Sequence, residues 1–478
     1  MPDELNWKLV KDPIYGYIKF NNFEKDLIDT PIFQRLRNIR QQGMGYLTYP
    51  GATHTRFEHS LGVMFLAGEM FDSVLKNSPD FWKEIKQNSR DNMKQTLRCA
   101  GILHDIGHMP LSHACESFID EKKIIDKLIT DLNLLKHYPE DQVRNTLENI
   151  AKHELMSSYL VISNAFEYRK KLESHGIDPV SVACMIIGQD NPNPEAPQEE
   201  HIMTKIINSP LDADKLDYIF RDSFVTGAID PPVDRERLLL SYIVYQNSLM
   251  LDGKALSVIF NLIKVRDWLY VWVYLHHKVN FTEMLMQRII REMTTHESNP
   301  LNQHDLFSDD AIANLVDDYT LINKIREYAS TEGKIKKYYS MITHRKFFSS
   351  CWKNIYEYHM MIDEPTRQNL ITWTKGINIE KFETELSKTI SSNDLMVNRR
   401  SFKPFTPQAK NEIKIKMRGQ EKPKSANEIE REFFGTPTIN KEFELPFIYT
   451  TSNLIENCTS AIKKWDEVHG TPSSWILN

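Results

Sequence analysis

Thirty-eight consecutive residues, 256–293, contain neither glycine nor proline. An unbroken α-helix over that stretch would be about 57 Å long. A chain that carries such a rod folds around helices, and much of the remaining sequence agrees. Residues 57–75, 93–106 and 154–172 place apolar side chains at helical spacing. Residues 208–225 read as a further helix, with Pro210 near its start, where proline is tolerated. Strand signals are confined to the two ends. Residues 8–11 and 17–20 flank Asp12-Pro13 and Tyr15-Gly16, which suggests a short hairpin. Further on, Ile413, Ile415 and Met417 alternate with Lys414 and Lys416, and residues 443–450 are a second candidate strand. The proline-rich residues 188–198 predict an exposed connection, and the charged residues 418–440 a mobile one. The expected fold class is mainly α, with a short N-terminal β-hairpin and a smaller mixed α/β C-terminal lobe.

With 478 residues, 41% of them hydrophobic, the chain has ample material for a core. The longest apolar run, residues 268–275, is eight residues, whereas a membrane-spanning helix needs about 20. No membrane partner is expected. The start, Met1-Pro2-Asp3-Glu4, is acidic and lacks an apolar segment, so no signal peptide is expected. The cysteines, Cys99, Cys115, Cys184, Cys351 and Cys458, form no CxxC pair and read as buried, reduced thiols of a cytoplasmic protein. A net charge of −6 argues against nucleic-acid binding by the whole chain. Residues 397–424 nevertheless hold nine Lys/Arg against two Glu. They read either as a solvated strand face or as a contact for an anionic ligand or nucleic acid.

The histidines are not spread evenly. Chance would put two of the sixteen in residues 54–113, and five are there: His54, His59, His104, His108 and His113. Three lie in Leu103-His104-Asp105-Ile106-Gly107-His108-Met109-Pro110-Leu111-Ser112-His113. The preceding helix is apolar enough to be buried, so it delivers His104 and Asp105 together into a poorly hydrated place. A buried carboxylate beside a buried imidazole is costly unless both serve a cation or a hydrogen-bond network. Gly107 and Pro110 break the helix and let the chain turn the next two histidines towards the same point. Neutral imidazole and carboxylate are ligands of borderline divalent metals. Upstream, His59 sits among apolar neighbours where a helix opens. Downstream, Asp212, Asp214, Asp217 and Asp222 fall within eleven residues, and Asp214, Tyr218 and Asp222 share one helix face. Alone, these aspartates read as a solvated face or an ion-pair ladder. With the histidines, one of them would complete a His-His-Asp-Asp site.

This H…HD…D arrangement resembles the HD-domain metal-dependent phosphohydrolases. More narrowly, Asp12-Pro13-Ile14-Tyr15-Gly16, residues 28–37 (IDTPIFQRLR), Tyr49-Pro50-Gly51-Ala52, residues 56–62 (RFEHSLG) and Asp214-Lys215-Leu216-Asp217-Tyr218 are similar, in order, to the deoxynucleoside triphosphate triphosphohydrolase branch. The likeness runs over residues 8–230, weakens to about 350 and is faint beyond. It implies an N-terminal hairpin and effector segment over residues 1–50, an HD core over 51–345 and a C-terminal lobe over 346–478. No room for a SAM domain ahead of the catalytic part is expected.

The resemblance also implies roles. The metal ligands fall on His59, His104, Asp105 and Asp214, and the catalytic histidines on His108, His113 and His153. Glu116 stands where the family has an aspartate. Arg56, Lys215 and Tyr218 match triphosphate contacts, and Gln41 and Asp222 match positions facing the sugar hydroxyl. Asp29, Gln34 and Arg37 match an effector site for GTP or dGTP between subunits of a homo-oligomer, a dimer or tetramer; alternatively Asp29 caps a helix while Gln34 and Arg37 pack it. The implied cofactor is a divalent metal, drawn from Mn, Fe, Mg, Zn and Ni, with a Mg²⁺ travelling on the triphosphate. The implied reaction releases nucleoside and inorganic triphosphate, with His113 as proton donor to the 5′-oxygen. Tyr274 stands one place early relative to the family's sugar-packing tyrosine, and Met109 replaces a frequent glycine. A one-residue slip turns a side chain by about 100°, so Tyr274 is expected to miss that role without local rearrangement, and Met109 to narrow the site. Two other readings remain: a phosphohydrolase for another phosphoester (a ribonucleotide, a signalling nucleotide or a nucleic-acid end), and a nucleotide sensor without turnover.

Overall fold

Antiparallel strands β1 (Lys8–Asp12) and β2 (Gly16–Phe20) open the chain, pairing Lys8 with Phe20 and Asp12 with Gly16. Asp12 Oδ1 accepts from the backbone of Ile14 and Tyr15, which folds the turn, and Gly16 follows at φ +79°. The computed structural model describes residues 7–136, 138–229, 233–295, 301–330, 333–375, 378–402, 405–434 and 443–469.

Four helices carry the histidine and aspartate motifs: α1 (Arg56–Asn77), α2 (Gln87–Leu103), α3 (Lys152–Ile162) and α4 (Ala213–Thr226). A capping box at Thr55 and Glu58 starts α1. Asp212 caps α4, its Oδ1 accepting from the Lys215 amide at 2.7 Å. The helix expected over 208–225 therefore begins after Pro210, because the aspartate side chain offers the backbone a better start. The helix expected over 154–172 is two, α3 and Glu167–Ser174, separated where Ser163 is extended and its Oγ accepts from the Ala165 amide. The helix expected over 93–106 begins earlier and ends at Leu103.

The long glycine- and proline-free run is broken after all. It forms α5 (Leu256–Leu269), a π-helical turn Tyr270–Tyr274, and α6 (His277–Thr295). The Leu275 amide reaches back five residues to the Tyr270 carbonyl (2.9 Å), and His276 Nδ1 accepts from the Lys278 amide (3.2 Å) to start α6. A histidine cap and one widened turn do here what glycine or proline does elsewhere.

Two further sheets form. Strands β3 (Tyr242–Tyr245) and β4 (Ser248–Asp252) make a hairpin through Gln246 and Asn247, both at positive φ. Strand β7 (Lys414–Lys416) adds to β4 in parallel and to β8 (Lys424–Ser425) antiparallel. In the other sheet β9 (Phe443–Thr450) lies between β5 (Ser349–Ser350) and β6 (Leu395–Phe402). Strands β3, β4 and β6 carried no signal in the sequence reading. Residues 418–440, expected to be mobile, include β8 and the helix Ala426–Phe434; 435–440 lie outside the described residues. Much of the basic stretch is spent on ion pairs: Arg399–Glu444 (2.7 Å), Lys410–Glu430 (2.7 Å), Lys424–Glu432 (2.6 Å) and Arg400–Glu283. One continuous cluster of buried apolar side chains runs from Tyr15 to Ile462, and all five cysteines are buried and unpaired. Among the described residues, no helix is long and apolar enough to cross a membrane.

Candidate active site

Helix α1 presents His59 three residues into its first turn, and α2 ends where His104 and Asp105 begin. Their Nε2 atoms face each other at 3.3 Å. Asp214, from the first turn of α4, places Oδ1 at 2.9 Å from His59 Nε2 and 3.8 Å from His104 Nε2. Asp105 oxygens lie 3.6 Å and 3.4 Å from the same two nitrogens. Ligands bonded at about 2.1 Å sit roughly 3.0–3.4 Å apart, so this quartet has the spacing of a coordination shell. The opposite ring nitrogens are anchored: His59 Nδ1 lies 2.7 Å from Asp217 Oδ2, and His104 Nδ1 lies 2.8 Å from the Gly101 carbonyl. With the proton held on Nδ1, both Nε2 lone pairs converge on one point. The residues present therefore fit a divalent metal.

The local field agrees. Burial opposes charge on His59, yet hydrogen bonds to Asp214 and Asp217 lift its pKa to about 10. Burial likewise opposes the Asp105 and Asp214 carboxylates, but Arg56 and the histidines hold Asp105, and His104 and His59 hold Asp214, well below the usual range. A positive charge is favoured at the centre of this cluster. Gly62 permits the arrangement, because a Cβ there would sit 2.6 Å from Arg221 Nη2 and closer still to Asp217 Oδ1.

A second cluster adjoins the first. The rings of His108 and His153 stack with centroids 4.0 Å apart, and His113 lies edge-on to both, at 5.1 Å and 5.2 Å. Glu116 Oε1 bonds His153 Nδ1 and lies 3.3 Å from His113 Nδ1. The extra methylene of Glu116 over aspartate thus does not prevent the pairing. Burial opposes charge on His153, but Glu116 carries its pKa up to about 9. Burial together with Arg56 and His153 drives His108 well below the ordinary imidazole value. Both His108 nitrogens are buried, Nε2 3.2 Å from Asp105 Oδ1 and Nδ1 without a hydrogen-bond partner. One neutral imidazole is thereby stacked on a cationic one, next to the His/Asp cluster.

Gly107 sets that stacking. A Cβ there would meet the Ser157 amide nitrogen at 2.5 Å and the His153 carbonyl oxygen closer still. Leu111 and Ser112 both take left-handed φ (60° and 53°), a strained route that leads into His113. Asp318, far along the chain, braces it by accepting from the Leu111 amide (2.7 Å) and the Arg40 amide (3.1 Å).

Both clusters open on a cavity of about 530 Å³. Gln41, Arg56, Lys215, Tyr218 and Asp222 all line it. Arg56 is buried and spends its nitrogens on Asp105 (2.9 Å), Ser112 (3.0 Å) and the Gln41 carbonyl (3.3 Å), so it anchors the metal cluster. Lys215 Nζ lies 2.7 Å from Asp212. Asp222 is engaged at both oxygens, by His54 Nε2 (2.8 Å) and by the Tyr274 hydroxyl (2.6 Å). Tyr274, expected to miss the sugar-packing role without local rearrangement, lies in the π-helical turn, itself a local rearrangement of the helix, and lines the cavity. Met109 is buried in the core and does not line the cavity, so it does not narrow the site directly.

Asp29, Gln34 and Arg37 stand away from the cavity, at the surface. Gln34 Nε2 bonds the Ile28 carbonyl, Arg37 Nε bonds Gln34 Oε1 (both 2.8 Å), and the Arg37 guanidinium covers the Phe57 ring at 3.5 Å. Asp29 pairs with Lys25, and Thr30 rather than Asp29 caps the next helix. Sequence reasoning assigned no role to Asp217, His54, Asp318, Arg266, Glu283 or Arg400. Three of them lay within a flagged pattern: Asp217 in the aspartate-rich helix, His54 in the histidine excess and Arg400 in the basic stretch.

Residues 56–178 match the family model of the HD domain. This chain carries an HD domain. An uncharacterized protein of Mycoplasma pneumoniae is 31% identical over 283 residues, 57% of either chain. The deoxynucleoside triphosphate triphosphohydrolase SAMHD1 of Bos taurus is 31% identical over 233 residues, 48% of this chain and 38% of that enzyme. This chain thus spans about half the length or less of these two relatives. A crystal structure of a hypothetical protein from Aquifex aeolicus shares the fold, with a TM-score of 0.61 at 20% identity over 95% of this chain and all of that one.

Proposed function

We propose that this HD-domain protein is a metal-dependent phosphohydrolase that cleaves deoxynucleoside triphosphates to nucleoside and inorganic triphosphate. The observation that carries this reading is the junction of the two clusters: a four-ligand His/Asp site anchored at its outer nitrogens, touching a stacked neutral and cationic histidine pair over one cavity. The likeness to SAMHD1 supports the substrate class.

His59, His104, Asp105 and Asp214 would hold the cation, which when bound neutralises phosphate oxygens and lowers the pKa of an attacking water. Lys215 and charged His153 face the triphosphate as cations, while Tyr218 lines the same wall. Asp222, fixed by His54 and Tyr274, orients the sugar hydroxyl, and Gln41 stands beside it. His113, half out in the cavity and backed by Glu116, donates a proton to the 5′-oxygen as the phosphorus–oxygen bond breaks.

An anionic effector has its own support. Lys278 gathers with Arg345 and Lys353, and burial together with those two cations pulls its pKa down. His276 and His277 beside it are driven by burial to about 4 and about 3. None of the three cations has a carboxylate partner among the described residues, and such a cluster calls for a polyanion. A guanine nucleotide binding here or at Asp29, Gln34 and Arg37, within a homo-oligomer, is the corresponding reading.

The test is product analysis after incubation with Mn²⁺ or Mg²⁺ and each dNTP and NTP, with and without GTP. Nucleoside plus triphosphate, lost in the double variant His104→Ala, Asp105→Ala, is the expected result. No turnover of any triphosphate under any pairing would move the weight to another phosphoester.

A further inference from the structure

Among the described residues, only Arg400 and Ser401 of the cavity wall come from beyond α6. Strand β6 alternates its side chains, so Arg399 turns to Glu444 of its own sheet while Arg400 turns to Glu283 of α6. Leu275, Val279 and Glu283 all line the cavity at four-residue spacing. Within α6, Glu283 stands about 6 Å beyond Val279, while Leu275, just ahead of the helix, adjoins Tyr274 and its partner Asp222.

The Glu283–Arg400 pair is nearly dry, its side chains 15% and 25% exposed. Burial raises the Glu283 carboxyl in spite of Arg400 and His113, and Arg400 Nε is buried without a hydrogen-bond partner. Docking of the strand does not require it. Arg288, one turn further along α6, already holds Glu383 (2.9 Å), whose other oxygen accepts from the Val397 amide of β6 (2.7 Å). A dehydrated ion pair costs about as much as it returns unless it serves a specific role, and this one faces the cavity.

We propose that Glu283 and Arg400 read the base of the substrate and favour guanine, an inference that rests on the nucleotide reading of the cavity. A carboxylate accepts from the adjacent N1–H and N2–H donors of guanine, and a guanidinium donates to its neighbouring O6. Adenine would present its amino group to the guanidinium, donor against donor. Pyrimidines lack the second ring and present a shorter edge to the pair.

The test compares wild type, Glu283→Gln, Arg400→Gln and the docking control Arg288→Gln. kcat/KM is measured for dGTP, dATP, dCTP and dTTP at one fixed GTP level, and calorimetry follows binding of dGTP and dATP in EDTA. A wild-type preference for dGTP is expected. Glu283→Gln and Arg400→Gln should lose ten- to a hundredfold on dGTP and less than threefold on the pyrimidine nucleotides, while Arg288→Gln keeps the wild-type ratios. Equal losses on all four substrates, or an unchanged dGTP/dATP ratio in both kinetics and binding, would overturn the base-reading role and leave the hydrolase intact. If nothing is hydrolysed, a dGTP preference in binding that disappears in Glu283→Gln still supports the pair. Absence of both hydrolysis and nucleotide binding would sink the reading of the cavity along with this inference.

Discussion

Replacing Asp217 with asparagine tests the reasoning that this buried carboxylate, though outside the quartet, governs its affinity for metal. Asp217 is fully buried and accepts from His59 (2.7 Å) and from Arg221 Nε and Nη2 (2.9 and 3.0 Å); Arg221 in turn holds Asp12 at 2.9 Å. Asparagine keeps one acceptor oxygen, so whichever way it turns its amide meets a donor. At least one charge-assisted hydrogen bond is lost, about 1.5–3 kcal/mol. The titration leads to the same figure. Burial opposes the Asp217 charge, but Arg221 and His59 bring its pKa from 3.8 to about 2. Lowering a carboxyl pKa stabilises the fold above its unfolded value, and that gain fades as pH falls through about 2; the size is about 2–3 kcal/mol. The variant should lose that amount at pH 7. Its free His59 ring should also bind metal about 10–100-fold more weakly, as loss of an outer-shell partner does. The assay is the thermal unfolding midpoint over a MnCl₂ series, with calorimetric metal affinity. Destabilisation with an affinity within threefold of wild type would refute the orienting role and leave Asp217 as a packing partner of Arg221.

Three other outcomes are expected. Glu116 raises His153 above its ordinary value, so the charged ring and its stabilising pair are present below about pH 6.5 and are lost as pH rises through about 9. The alkaline limb of the pH–rate profile should fall near 9 and move down by at least one unit in Glu116→Gln; an unmoved limb would exclude His153 as its source. Gly107→Ala should drive α3 and the histidine loop apart, costing about 1–3 kcal/mol and most of the activity, read by thermal unfolding and hydrolysis; an unchanged midpoint contradicts the close approach. Tyr274→Phe removes the 2.6 Å bond to Asp222 and should lower the dATP/ATP ratio of kcat/KM about tenfold, whereas an unchanged ratio would show that the π-helical turn has no part in sugar choice.

The His/Asp quartet and the stacked histidines stood out in the sequence as candidates because their chemistry is conspicuous. A buried HD pair, two more histidines past a helix break and an aspartate-rich helix have few apolar explanations. Their partners were not legible. His54 is an ordinary histidine until its ring is seen 2.8 Å from Asp222, 168 positions away. Asp318 lies among unremarkable acids until it is found bracing Leu111, 207 positions back.

Local chemistry in the sequence determined the mainly helical class, the N-terminal hairpin and the side chains able to bind a cation, since periodicity, turn residues and donor types act over a few residues. Where helices end was decided partly by side-chain caps, as at Asp212 and His276, and by one π-helical turn, which hydrophobic period does not register. Only the tertiary structure decided that Tyr274 returns to the cavity, that Asp217 anchors His59, and that Arg400 of β6 closes a pocket built by helices. Those outcomes depend on how packed elements align across hundreds of positions, and a one-residue change in register is enough to reverse them.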